Sequence, residues 1–179
     1  MKISEDIQIP EGIEGNCQEG ELVLKGSKGE NRRVLRYPGI QIEIADNKVR
    51  LGANKATKRE LKIIKTFKAH IGNMISGVSE GHSYQLRICA GHFPMNVSMS
   101  KNEFIVKNFF GEKFPRKLKV RDKVTVKISG QDIYVESVDK ELAGQTAADI
   151  EQLTRRTGFD RRIFQDGIYI VKKDGREIK

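Results

Sequence analysis

The feature that most constrains this chain is that it repeats. Glu21, Lys25, Gly29 and Glu30 return 82 positions later as Glu103, Lys107, Gly111 and Glu112, and Leu22, Val23 and Leu24 are answered by Phe104, Ile105 and Val106. Ile42 and Ile44 match Val124 and Val126 at the same offset, Val49 and Leu51 match Ile133 and Val135 at 84, and Glu60-Leu61 matches Glu141-Leu142 at 81. The small changes of offset fall in turns, where insertions are best tolerated. Order, residue type and spacing agree together, which is the signature of a tandem duplication. A chain of 179 residues repeated in this way folds as two small domains, residues 1–81 and residues 82–179.

Within each copy the apolar pattern gives an α+β fold, an antiparallel sheet packed against one long helix. Pro10, Gly12, Gly15 and Gly20 make residues 1–24 rich in turns, so the first clear strand is expected at residues 21–25, closed by GSKGE. A short strand follows around Leu35. Ile40, Ile42 and Ile44 alternate with polar residues, Asp46-Asn47 supplies a turn, and Val49 and Leu51 alternate again, which describes a hairpin with one buried face. Thr57-Lys58-Arg59-Glu60 has capping-box spacing and predicts a helix with Leu61, Ile64, Phe67, Ile71, Met74, Ile75 and Val78 on its core face. Lys58, Lys62, Lys65 and Lys68 on the opposite face read as ordinary solubilising residues. Ser79-Glu80-Gly81 ends that helix and offers a hinge, and the plan restarts at His82. Strand patterns at Tyr84 to Ala90, Val97 to Met99, Phe104 to Val106, Leu118 to Val120, Val124 to Ile128 and Ile133 to Val135 precede a second helix. Asp139 is its cap, and Leu142, Thr146, Ile150 and Leu153 form its stripe.

Charge separates the copies. Lys and Arg number 33 against 24 Asp and Glu, leaving +9, an excess that attracts polyanions at long range. Nucleic acid is the first candidate partner and an anionic membrane surface the second. Residues 1–81 hold 14 basic and 11 acidic residues, while residues 82–179 hold 19 and 13, so the second copy is the better binding candidate. No apolar run approaches the ~18 residues of a spanning helix, and the opening MKISEDIQIPEG is too acidic and polar for a secretory signal. A cytoplasmic location is expected. Cys17 and Cys89 stand far apart without a partner motif, so neither a disulfide framework nor a zinc site is expected, and Cys89 reads as a buried thiol.

The second copy also carries material with no counterpart in the first. Residues 155–173, RRTGFDRRIFQDGIYIVKK, bracket Ile163, Phe164, Ile168, Tyr169 and Ile170 with Arg155, Arg156, Arg161, Arg162, Lys172 and Lys173. Charge is thus placed on a segment that can be anchored to a core, unlike a disordered basic tail. Arginine suits forked hydrogen bonding to phosphates and base edges. The bland alternative is a solvated face on a final strand; the net charge favours an RNA grip. GHFP, with His92 and Phe93, and the loop at residues 109–119 are further candidates, because Lys113, Arg116, Lys117 and Lys119 share that loop with three phenylalanines. Phe164 reads as a core anchor, and Tyr169 as either core or base-stacking.

The two tandem repeats, the run KELAGQTAADIEQL after the second hairpin and the ending DRRIFQDGIYIVKK resemble the large-subunit ribosomal protein L-six family in its archaeal and eukaryotic form. The likeness covers essentially the whole chain. It implies a structural constituent of the large ribosomal subunit whose second domain binds 23S-type rRNA near the sarcin–ricin loop and the factor-binding region. It also implies neighbouring large-subunit proteins near the stalk base, and neither a membrane nor a small-molecule substrate. Arg161, Arg162, Phe164, Asp166, Gly167 and Tyr169 fall on the family's C-terminal signature, with Asp166-Gly167 expected to form the turn that returns the chain to the sheet.

Catalysis finds little support. His70, His82 and His92 lack metal-ligand spacing, and neither a nucleophile elbow nor a Walker or dinucleotide fingerprint occurs. Asp160, Asp166 and Asp174 can imitate a nuclease carboxylate cluster, but the intervening arginines favour salt-bridged acids. No cofactor or metal is expected. The competing reading is a free-standing RNA-binding regulator outside the ribosome, with a nuclease third.

Overall fold

Alternating apolar residues in both halves become antiparallel strands, and each set is closed by a helix. The computed structural model describes residues 3–45, 47–54, 57–160 and 162–178. Two compact units divide between Gly81 and His82. In the first, β1 (Ile3–Gln8), β6 (Lys48–Ala53) and β5 (Ile40–Ala45) form one sheet in that order, and β2 (Glu14–Gln18), β3 (Glu21–Gly26) and β4 (Gly29–Val34) form another. The helix α1 (Lys58–Ser79) packs against both sheets. The turn expected at Asp46-Asn47 lies partly outside the described residues, because Asp46 is not among them.

The second unit repeats the pairing. β7 (His82–Cys89), β12 (Asp132–Ser137) and β11 (Val124–Ser129) stand in the places of β1, β6 and β5. β8 (Asn96–Ser100), β9 (Glu103–Lys107) and β10 (Arg116–Lys119) repeat β2, β3 and β4, and α2 (Lys140–Leu153) repeats α1. Each copy is therefore α+β, with its antiparallel strands shared between two sheets. β13 (Gly167–Lys173) and β14 (Arg176–Glu177) are the addition, extending the sheet to the order β11-β12-β7-β13-β14. Gly167 pairs with Cys89 and Lys173 with Tyr84, and the register shifts at a bulge between Ile170 and Lys172.

Several local expectations change. β1 and β2 occupy the acidic opening whose composition predicts turns; their polar sequences, ISEDIQ and EGNCQ, are made strands by their partners. Arg50 holds Asp6 at 3.1 Å across the β1-β6 ladder, and Lys68 of α1 pairs with Glu5. Thr57 stands at the N-cap of α1, yet its side chain accepts no hydrogen bond there, so the capping box is not formed. Burial holds the helix instead: Ile64, Ile71 and Val78 are fully buried, each worth ~1.5–3 kcal/mol of apolar transfer. At its end Glu80 and Gly81 both donate to Ser76 O, and Gly81 takes φ +83°.

The stripe on α2 is partly as expected, with Thr146 and Ile150 buried and its outer positions replaced by Ala143 and Ala147. Ala143 and Ala147 are fully buried with Ile150, facing Leu86, Ile133 and Val135, whereas Leu142 and Leu153 are half-buried. Small residues let the helix approach the sheet: a Cβ at Gly144 would lie 3.1 Å from the Tyr84 hydroxyl. Asp139 caps α2 as predicted, accepting from Glu141 N at 2.8 Å.

The duplication is not carried through every turn. β3 and β4 meet in a two-residue turn, with Gly26 opposite Gly29, whereas β9 and β10 are separated by residues 108–115. The match of Gly29-Glu30 to Gly111-Glu112 therefore joins a strand to a loop. In register terms Arg116, opposite Val106, answers Asn31, opposite Leu24.

Candidate nucleic-acid interface

Three segments of the second unit converge beside the end of α2: residues 91–94, residues 108–116 and, among the described residues, 154–160 with 162–168. Asp166 ties the first to the third. Its side chain is 4% exposed and accepts from the N–H groups of Gly91 (2.8 Å), His92 (3.1 Å) and Phe93 (3.1 Å), with His92 Nδ1 at 3.2 Å. Burial by itself raises a carboxyl pKa, but the N–H groups and the imidazole together hold Asp166 below its ordinary value. Its expected role as half of a tight turn is thus corrected: Asp166 is a buried anion that fixes a distant loop, and Gly167 opens β13.

Asn108 Nδ2 donates to Pro94 O at 2.9 Å, joining the second segment to the first. The chain then makes a 3-10 turn at Phe109–Gly111 in which Asn108 and Phe110 both adopt left-handed backbone, φ 60° and 49°. That conformation costs roughly 1–2 kcal/mol for an ordinary side chain. It aims the Phe110 ring into a cluster, with centroids 4.9 Å from Phe109, 5.5 Å from Phe159, and 6.1 Å from Phe93 and from Phe164. Phe164 in turn meets His92 at a tilt (5.0 Å) and Phe159 edge-on (5.2 Å). Phe164 is half-buried in this surface cluster, apart from the main core in which it was expected.

Cations lie over the same rings. The Arg156 guanidinium is 4.5 Å from the Phe159 centroid and 5.1 Å from Phe110, and Arg116 is 4.4 Å from Phe109. Arg116 also forms a two-pronged pair with Glu112 and donates to Leu153 O and Arg155 O, at 2.6 and 3.3 Å. Its hydrogen bonds hold the Glu112 carboxyl below the usual range. Arg116 thus acts as a clamp that satisfies the Leu153 carbonyl at the end of α2 and the Arg155 carbonyl just beyond it.

The helix end also seals the outer edge of β13. Thr154 Oγ1 accepts from Ile168 N at 2.9 Å, and Glu151 Oε1 from Ile170 N at 3.1 Å. Beside them lies an open cleft of about 370 Å³, lined by Glu151, Gln152, Arg155, Phe159 and Tyr169 among others.

The remaining predicted residues divide by place. Arg155, Lys113 and Lys119 are exposed, and among the described residues none has a carboxylate within ion-pair distance. Arg162 is exposed but held by Asp160 at 2.7 Å, which raises the guanidinium pKa and lowers that of the acid. Lys117 stands 3.6 Å from Glu103. His92 and Phe93 are exposed beside the cluster, and Tyr169, 39% exposed, lines the cleft. Arg161 lies outside the described residues. Lys172, paired with Glu177 at 3.2 Å, and Lys173 sit at the far end of β13, roughly 20 Å from Gly167 at ~3.3 Å per residue, so the structure does not bring them to the cluster.

Phe110, Phe159 and Glu151 belong to this surface although sequence reasoning passes over them. Only the interleaving of aromatic and basic residues at 109–119 hinted at the first. Asp160, Asp166 and Asp174 do not meet as a nuclease site: Asp160 holds Arg162, Asp166 holds the loop, and Asp174 pairs with His82 (3.0 Å) and Lys140 (3.1 Å). Among the described residues no cluster of three or more metal-ligating side chains forms.

The sequence model of the family described as "Ribosomal protein L6" matches residues 9–81 and 93–167, one match in each unit. The chain is 47% identical over 174 residues to "Large ribosomal subunit protein uL6" of Archaeoglobus fulgidus, covering 97% of this chain and 88% of that protein. It is 45% identical to the protein of the same description from Methanococcus vannielii, covering 97% and 96%.

Proposed function

The chain belongs to the ribosomal protein L6 family, and from that premise we propose that it is a structural constituent of the large ribosomal subunit in the cytoplasm, binding 23S-type rRNA chiefly through its second unit. The site on the RNA is the neighbourhood of the sarcin–ricin loop and factor-binding region, beside the proteins of the stalk base. The family is one of ribosomal proteins, not of enzymes, and no catalytic role comes with it.

The observation that carries the emphasis on the second unit is the juxtaposition at its surface. Exposed Lys113 and Arg155, unpaired with acids among the described residues, border a ring cluster made rigid by Asp166. Cations of this kind replace the counterions condensed on RNA, so affinity falls as salt rises. Exposed rings, such as Phe93 at 40% and Phe114 at 86%, offer faces to unpaired bases, which a folded RNA presents and a regular duplex hides. Rigidity matters because a preorganised surface loses less entropy on binding.

Fractionation tests the reading. The chain is expected to travel with large subunits through a gradient after a high-salt wash; finding it wholly in the free-protein fractions at low salt would instead support the regulator outside the ribosome. Chemical footprinting of the rRNA with and without the protein then locates the contact, and protection confined to regions remote from the sarcin–ricin loop would overturn the proposed address.

A further inference from the structure

We propose that the cleft between the end of α2 and β13 receives one unstacked guanine of the bound RNA, its face against Phe159 and its hydrogen-bonding edge toward Glu151. This rests on the RNA-binding reading above and adds a base-specific pocket to it.

The cleft holds about 370 Å³, within the low end of the ~300–1,000 Å³ common for small-ligand sites. That admits a nucleoside and excludes a duplex. Its walls are chemically divided. Phe159 is 40% exposed and Tyr169 39%, so ring surface is offered to the cleft, and Phe159 is held in place by Phe110, Phe164 and the Arg156 guanidinium, which line the cleft with it. Rings held in this way stack bases of any kind.

Selection comes from Glu151. One carboxylate oxygen accepts from Ile170 N, which fixes the side chain in the wall, and no ion pair to Glu151 forms among the described residues. A carboxylate in the cleft repels a phosphate and accepts from donors. Guanine alone among the four bases presents two adjacent donors, the ring N–H and the amino group, on its Watson–Crick edge; uracil presents one, flanked by acceptors. The phosphates flanking such a base need a cation, and Arg155, exposed and without an acid partner among the described residues, lines the cleft.

The test uses the full chain and three fluorescein-labelled RNA hairpins, one with a single bulged guanosine, one with a bulged uridine, and one fully paired, read by anisotropy. The intact protein is expected to bind the guanosine bulge about tenfold more tightly than the uridine bulge. Phe159→Ala should weaken both bulged hairpins about tenfold and leave the paired one unchanged. Glu151→Gln, which retains an oxygen for Ile170 N, should abolish the preference for guanosine while keeping stacking. Circular dichroism of both variants checks the fold. Equal binding of all three hairpins by the intact protein, or a loss in Phe159→Ala that falls equally on the paired hairpin, overturns the pocket while leaving RNA binding standing. Absence of binding to any hairpin at low salt overturns the RNA-binding reading itself, and the pocket with it.

Discussion

The two units solve the same problem differently: how to finish a helix that ends against a hairpin. In the first, the tip of the β3-β4 hairpin does it, with Lys28 N donating to Val78 O at 3.0 Å and Ser27 Oγ to Ser79 O at 3.0 Å. The approach is so close that a Cβ on Gly26 would lie 2.6 Å from Val78 O. In the second, the hairpin is lengthened by residues 108–115 and a side chain, Arg116, reaches the last carbonyl of α2, that of Leu153. The added loop brings in Phe109 and Phe110, and the chain beyond α2 brings in Phe159, Phe164 and Asp166. The difference teaches where a duplicated fold acquires a new surface. A tight turn was replaced by a loop at a helix end, and a strand was added to the edge that β1 leaves without a partner strand among the described residues.

Damage to the added strand should fall on the second unit alone. Ile168 is fully buried, and Ile168→Ala should cost about 3 kcal/mol of stability. Amide exchange should accelerate in β7 and β12 and stay unchanged in β1 and β6; an equal loss of protection in both units would break the comparison.

Asp166→Ala comes next, at about 2 kcal/mol, because three N–H groups lose one acceptor. The same anchor gives the second unit an acid sensitivity. The folded state holds this carboxyl below its ordinary value, so its stabilisation is complete above the unfolded value near ~4 and is lost as pH falls through the folded one. Among the described residues the first unit buries no Asp or Glu. Acid should therefore release the loop at residues 91–93 in the intact protein, and Asp166→Asn should flatten that dependence; a nuclear magnetic resonance titration of the Gly91 and Phe93 amides reads both.

Binding should separate the units as well. Replacing Arg155 and Arg156 by Glu is expected to lower the slope of log affinity against log salt by about 2 for a large-subunit rRNA fragment. The smallest effect is expected from Lys62→Glu with Lys65→Glu on the exposed face of α1, within about twofold in affinity. A larger loss there than at Arg155 and Arg156 would move the RNA grip to the first copy.

Much of this was legible in the residues. The repeat, both helices, the Asp139 cap and the extra terminal segment all follow from local patterns, because periodicity and caps depend on near neighbours. What was hidden depends on distant ones. β1 and β2 are too polar to announce themselves and exist by pairing. Arg116 looks like any cation of a basic loop until α2 places carbonyls beside it. Asp166 and Gly167 suit a turn by composition, and only the loop 73 to 75 residues away shows that the carboxylate is bound. Phe164 reads as core because it is large and apolar, yet the cluster it joins is at the surface.

The most direct test of the central claim is hydroxyl-radical probing from iron tethered to a single cysteine in assembled large subunits, on a background with Cys17 and Cys89 replaced by serine. Tethered at Lys113→Cys in the second unit, it should cut the rRNA around the sarcin–ricin loop, while the same probe at Lys62→Cys in the first should leave that region intact. Strong cutting there from Lys62→Cys and none from Lys113→Cys would contradict the assignment of the RNA-facing surface to the second copy.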